Sequence, residues 1–304
     1  MNTFIVALLP VFGAIVIGYL FKRYTFPGDA FWPMAARITY FVFFPALLIN
    51  NLAPAQLANL ALGRLSLAVL LPTLIVALAV LLARPYLRIP GVAFTSVFQG
   101  SIRFNTYVGL AAIAALYGSP GITLVAIILA VLVPLVNVLS VLMLTRHGSV
   151  RSRHWRDTLP ALAKNPLIVA CVLGIALNLS GIGLPFVTGE LLEIFARAAL
   201  PMGLLTVGAD LDLHAVRTEI LPVVVSSGLK LLILPLLTAL ACRLLGIDDL
   251  PMAVAVIFAA LPTATSAYIL AQQMGGDARL MAGLLTVQTL LAVVTMPLVL
   301  LLVL

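Results

Sequence analysis

Ten runs of about 20 mainly apolar residues follow one another along the chain, with little polar sequence between them. They cover 4–21, 33–52, 64–83, 91–117, 122–144, 165–182, 187–208, 219–242, 250–273 and 279–303. Each is long enough to cross a hydrocarbon core of about 30 Å as a helix. A helix satisfies its own backbone hydrogen bonds, which lipid cannot do for it. The pattern therefore predicts an all-α polytopic membrane protein with ten transmembrane helices.

Composition agrees. Of 304 residues, 63% are hydrophobic and 9% charged, where soluble domains carry about 25% charged residues to face water. A soluble enzyme, a disordered chain and a disulfide scaffold are excluded. Cys171 and Cys242 both fall in apolar runs and read as small packing residues.

The net charge of +7 is read as membrane orientation rather than nucleic-acid binding, and no nucleic-acid partner is expected. No positive charge precedes the first run, whereas Lys22 and Arg23 follow it, which argues against a cleavable signal and places the N-terminus outside. Alternation then puts Lys22, Arg23, Arg84, Arg88, Arg146, Arg151, Arg153, Arg156, Lys164, Arg217 and Arg279 in cytosolic loops. Only Arg64 and Arg243 fall in outer loops. That bias follows the positive-inside rule and puts both termini outside.

The basic stretch 145–164 divides the chain into halves, 1–144 and 165–304, of five spans each. Five is odd, so related halves must insert with opposite topology, the inverted-repeat plan of many secondary transporters. Spans four and nine are unusual. Span four is interrupted by Gln99-Gly100-Ser101-Ile102-Arg103-Phe104-Asn105-Thr106, and span nine by Pro262-Thr263-Ala264-Thr265-Ser266. Aligning their Gly-rich ends puts Asn105 opposite Pro262 and Thr106 opposite Thr263. Polar clusters at corresponding places in two repeats predict broken helices near the midplane.

Arg103 lies about 12 residues into span four, roughly 18 Å along a helix, and so near mid-membrane. Lys230 is similarly deep in span eight. A cation there costs at least about 2.5 kcal/mol, and no span carries Asp or Glu at matching depth. Glu193 and Arg197 are four apart and predicted to pair. For Arg103 and Lys230 two readings stand: carbonyls and water satisfy them, or they face a cavity that takes up an anion, with snorkelling open to Lys230. In the anion reading Arg103, Asn105 and Thr263 converge on a carboxylate, helped by helix N-termini. Thr106, Pro262 and Thr265 complete the two interruptions. Asn137 in span five and Gln288 in span ten either line the same cavity or bond between helices. Asn51, near the outer end of span two, is a weaker candidate. His147, His154 and His214 lie in or beside cytosolic loops, so no catalytic set, metal site or cofactor is expected.

Leu9-Pro10-Val11-Phe12, Gly18-Tyr19-Leu20, Phe44-Pro45-Ala46-Leu47-Leu48, Arg103-Phe104-Asn105-Thr106-Tyr107, Leu261-Pro262-Thr263-Ala264-Thr265 and Thr295-Met296-Pro297, in this order and spacing, resemble the auxin efflux carrier family. That family lies within the bile acid/arsenite/riboflavin transporter superfamily, and the resemblance is to its bacterial type. It implies two inverted five-helix repeats. Helices one, two, six and seven would form a scaffold, often homodimeric, and the other six a moving transport domain. Broken helices four and nine would cross beside the substrate in an elevator-like cycle. The implied function is secondary transport of a small organic anion, a mono- or dicarboxylate. The alternatives are a sodium-coupled carrier of a larger amphipathic anion, as in the bile-acid fold, and an anion channel.

Overall fold

The structure is a computed structural model that describes residues 2–55, 62–149, 166–213, 215 and 220–303. Arg151, Arg153, Arg156, Lys164 and Arg217, with His154, His214 and most of the 145–164 linker, lie outside the described residues. Among the described residues every regular element is helical. Six helical stretches are long and apolar enough to cross a membrane, which makes this a multi-pass membrane protein.

The helices are α1 (Asn2–Arg23), α2 (Phe31–Ile38), α3 (Phe44–Leu52), α4 (Leu62–Leu87), α5 (Gly91–Ile102), α6 (Thr106–His147), α7 (Pro166–Ser180), α8 (Thr188–Ala209), α9 (Ile220–Gly228), α10 (Leu234–Leu244), α11 (Asp249–Ala259), α12 (Thr265–Met274) and α13 (Ala278–Val303). A five-residue π turn, Thr39–Phe43, joins α2 to α3, and another, Leu229–Ile233, joins α9 to α10. Each is followed at once by a proline, Pro45 or Pro235, in the first turn of the next helix. The ring supplies no N–H and crowds the preceding turn; the widened turn accommodates both without ending the span. Gly118, at φ 58° and ψ −148°, breaks α6 internally. With α6 counted as two, and each interrupted run as one, the described residues form the ten segments read from the sequence.

Apolar side chains fill the interior and also cover much of the outer surface. Leu82 is 65% exposed and Val294 67%, while Gln99, Lys230, Thr263 and Gln288 are each 0% exposed. Lipid is as apolar as leucine, so apolar side chains can face outward at no cost. Polar ones must turn inward to find partners.

The chain forms two compact units. One comprises Met1–Gly63, Tyr107–Val131 and Leu162–Asp210. Within it α1 lies along α8, and α3 packs on α7 and α8. A Cβ added at Gly18 would collide with the Leu205 carbonyl, and one at Gly208 with the Ile15 carbonyl. Small residues let these helices touch backbone to backbone, as is common in lipid, where dispersion replaces the hydrophobic drive. Gly208→Val is accordingly expected to lower the melting temperature in detergent by several degrees, a cost of about 1–3 kcal/mol. An unchanged midpoint would contradict the close packing. Further out, Glu193 Oε1 accepts from Arg197 Nη2 at 2.5 Å and Nε at 3.2 Å, the pairing predicted from their spacing. The other unit comprises Arg64–Thr106, Leu132–Ala161 and Leu211–Leu304. Here α5 packs against α9, α12 and α13, and α10 against α11. Both interrupted runs belong to this unit.

Candidate functional site

The interruptions in spans four and nine are chain breaks. Helix α5 stops at Ile102, and Arg103 caps it in extended conformation, φ −79° and ψ 160°, with its N–H on Gln99 O at 2.9 Å. A new helix, α6, starts at Thr106. On the other side α11 ends at Ala259, and the chain runs through Ala264 at φ −84°, ψ 145° before α12 starts at Thr265. Pro262 explains the second break, because it cannot donate to a helix and pushes Leu261 out of helical geometry. The first break contains no proline. Its backbone is satisfied by the other break instead: the Asn105 N–H donates to Pro262 O at 2.8 Å.

Gln288, on α13, braces both ends. Its Oε1 accepts from the Thr263 N–H at 2.9 Å. Its Nε2 donates to Gly100 O at 3.1 Å, with Ser226 Oγ at 3.4 Å. Gly100 belongs to the last turn of α5, whose carbonyls a helix leaves without internal donors. One buried amide thus supplies an acceptor to one break and a donor to the other.

Arg103 is 6% exposed. Nη1 donates to Asn137 Oδ1 at 2.9 Å and Ser140 Oγ at 3.3 Å, and Nη2 to Ser266 Oγ at 2.9 Å. Asn137 and Ser140 are three apart on α6 and so share a helix face. Ser266 sits in the first turn of α12. These three oxygens belong to neutral side chains, and they hold the fork in place. Asn105 is 2% exposed. Thr106 and Thr265, which open α6 and α12, are only partly buried. The site therefore combines a fixed guanidinium with two helix N-termini, each carrying the positive end of a backbone dipole. Such an arrangement attracts an anion that can accept hydrogen bonds.

Of the residues singled out in the sequence, Arg103, Asn105, Thr106, Asn137, Pro262, Thr263, Thr265 and Gln288 come together in this one unit. Lys230 belongs to it too, but does not snorkel. It is wholly buried, and Nζ donates to Ala259 O at 2.8 Å. Asn51 belongs to the other unit, and its amide donates to Leu47 O in its own helix at 2.8 Å. Ser140 and Ser226 take part without having been picked out, and Ser266, the last residue of the span-nine interruption, joins them. The i,i+3 relation to Asn137 was the available signal for Ser140. Two buried groups, the Gln99 side-chain amide and Thr263 Oγ1, have no hydrogen-bond partner among the described residues.

Comparison with known proteins identifies the family. A protein of Methanothermobacter thermautotrophicus described as "Uncharacterized transporter" is 31% identical over 133 residues, 44% of either chain. The matched stretch thus spans less than half of that relative. A Rhizobium meliloti (strain 1021) protein described as "Putative malonate transporter" is 26% identical over an alignment covering 94% of this chain and 92% of its own. The model of the family described as "Membrane transport protein" matches residues 3–300. Spanning nearly the whole chain, that match makes this protein a member of the membrane transport protein family, to which the auxin efflux carriers belong.

Proposed function

We propose that the protein is a secondary transporter that moves a small organic anion, a mono- or dicarboxylate, by alternating access. The observation that carries this reading is Arg103, a buried cation in the break before α6 whose guanidinium reaches Asn137, Ser140 and the first turn of α12 at Ser266. A guanidinium placed in mid-membrane costs about 2.5–3.5 kcal/mol on insertion scales, and a bound carboxylate would lower that cost. The fork geometry suits a planar carboxylate in particular. The description of the Rhizobium meliloti relative as a malonate transporter points to the same chemical class.

In this reading the anion binds beside the breaks in spans four and nine, which cross as equivalent parts of two inverted repeats. Spans one, two, six and seven form a dimeric scaffold, and spans three to five and eight to ten carry the anion past it. Both termini face the periplasm. The test is a thermal-shift panel of mono- and dicarboxylates, malonate included, on purified protein. At least one is expected to raise the melting temperature saturably, and stabilisation by cations or neutral solutes alone would overturn the reading. In proteoliposomes the flux is expected to saturate and to show counterflow, which an open channel does not.

A further inference from the structure

The hydroxyls of α5 are all engaged: Thr95 Oγ1 donates to Val92 O, Ser96 Oγ to Asp277 O and Ser101 Oγ to Val97 O, at 2.7–2.8 Å. Gln99 differs. It is 0% exposed, yet neither Oε1 nor Nε2 has a hydrogen-bond partner among the described residues. Buried amides are nearly always bonded, so an open one calls for a partner from outside the chain.

Its position says which. Thr95, Gln99 and Arg103 are spaced by four and share a face of α5. At the Thr95 end this face meets α6 and the end of α12: a Cβ added at Gly276 would lie 2.9 Å from both Thr95 Oγ1 and Leu144 Cδ2. At the other end Arg103 reaches Asn137 and Ser140 on α6 and Ser266 on α12. Gln99 is the middle of the face, between the same two helices and about 6 Å along the axis from Arg103. The Arg103 N–H on Gln99 O at 2.9 Å keeps the two in one turn.

Charge is scarce on this face. Among the described residues, α9 carries no titratable side chain and α12 only Tyr268. Arg279 opens α13, just after Asp277, while Arg146 and His147 end α6. Lys230, in the π turn, is engaged on Ala259 O. Arg103 is thus the one cation on the Gln99 face, and it balances one negative charge. An amide presents a donor and an acceptor side by side. A second carboxylate would accept from Nε2 but leave Oε1 facing another negative oxygen. A carboxylic acid or a carboxamide fills both positions.

We propose that Gln99 selects the substrate: while Arg103 takes the charged end of a short two-ended anion, the Gln99 amide pairs with a neutral carboxylic acid or carboxamide at the other end. This rests on the anion-carrier reading and narrows its substrate to a monoanion, so a dicarboxylate binds with its second carboxyl protonated. Both groups are enclosed in this conformation, and alternating access supplies the opening.

Two matched ligand sets test it on the purified full-length chain by thermal shift at pH 6 and pH 8: malonate, malonamate and propionate, then succinate, succinamate and butyrate. In at least one set the half-amide is expected to bind about tenfold or more tighter than the monocarboxylate, the worth of two neutral hydrogen bonds, and equally at both pH values. The dicarboxylate is expected to weaken as pH rises and its second carboxyl ionises, by up to about tenfold per unit. In Gln99→Leu the gap between half-amide and monocarboxylate is expected to close, while the ligand-free protein melts no lower than wild type, because no described partner of the amide is orphaned. Gln99→Met repeats the reading with an unbranched chain. Dicarboxylate binding that strengthens with pH overturns the proposal. So does a gap absent from both sets or surviving in Gln99→Leu, where the amide holds only a water molecule. If neither variant folds, the amide is structural and the proposal is overturned. If no carboxylate stabilises wild type, the anion reading falls and takes this with it; if monocarboxylates bind and half-amides gain nothing, the role of Gln99 falls alone.

Discussion

Arg103→Ala is expected to abolish the stabilisation by carboxylates and to reduce their affinity about 100-fold or more. Two hydrogen bonds from a guanidinium to a carboxylate are worth about 1.5–3 kcal/mol each in a dry site, and every 1.4 kcal/mol or so is a factor of ten. The ligand-free protein is expected to melt close to wild type. Of the observed partners of the guanidinium, Asn137 and Ser266 are not fully buried and can bond water once it is gone. Ser140 Oγ still donates to Val136 O at 2.6 Å. This split separates a binding role from a structural one. A cation that only glued helices together would cost stability when removed and leave affinity alone. Arg103→Lys keeps the charge but loses the planar fork, so it is expected to fall between, about tenfold weaker than wild type. Isothermal titration or a thermal-shift series with a stabilising carboxylate reads all three proteins. Unchanged affinity in Arg103→Ala would sink the anion reading.

Much of this architecture was legible because membrane helices announce themselves. Period and length are enough where every span needs about 20 apolar residues. The breaks were legible for a different reason: polar and Pro-rich interruptions are costly in lipid and stand out against the apolar runs. What linked them was not. The Asn105–Pro262 backbone bond joins residues far apart in sequence, and no side-chain pattern encodes a main-chain bond. The first break illustrates the point, since it has no proline and is sustained by its partner. Lys230 and Asn51 show the limit from the other side. Both are polar residues in apolar runs, yet one caps the end of a distant helix and the other bonds within its own turn. Residue type gave the same signal for both; rotation about the helix axis decided between them. The π turn that carries Lys230 shifts that rotation, and neither 3.6-residue periodicity nor composition registers a single widened turn.

Gln288→Leu is expected to be among the most damaging single substitutions in the unit that holds the breaks. The amide satisfies the Thr263 N–H at 2.9 Å and Gly100 O at 3.1 Å, and both residues are buried at the end of a helix or just beyond it. Leucine is close in volume, so no large cavity opens. The cost is instead the desolvation of two backbone groups left without partners, about 1–3 kcal/mol each. A fall of about 3 kcal/mol corresponds to a melting temperature lower by several degrees for a chain of this size. Ser226→Ala is the contrast, since its contact with Gln288 is long, at 3.4 Å, and its loss is expected to cost under about 1 kcal/mol. Gln288 has no observed bond to the guanidinium, so the carboxylate affinity of Gln288→Leu should fall less than that of Arg103→Ala, through displacement of Thr263 and the start of α12. Opposite orders of damage in the two variants, affinity first for Arg103 and stability first for Gln288, would separate the group that binds from the group that holds the breaks together. If Gln288→Leu melts with wild type, the breaks are held by their own backbone pairing and the amide is dispensable.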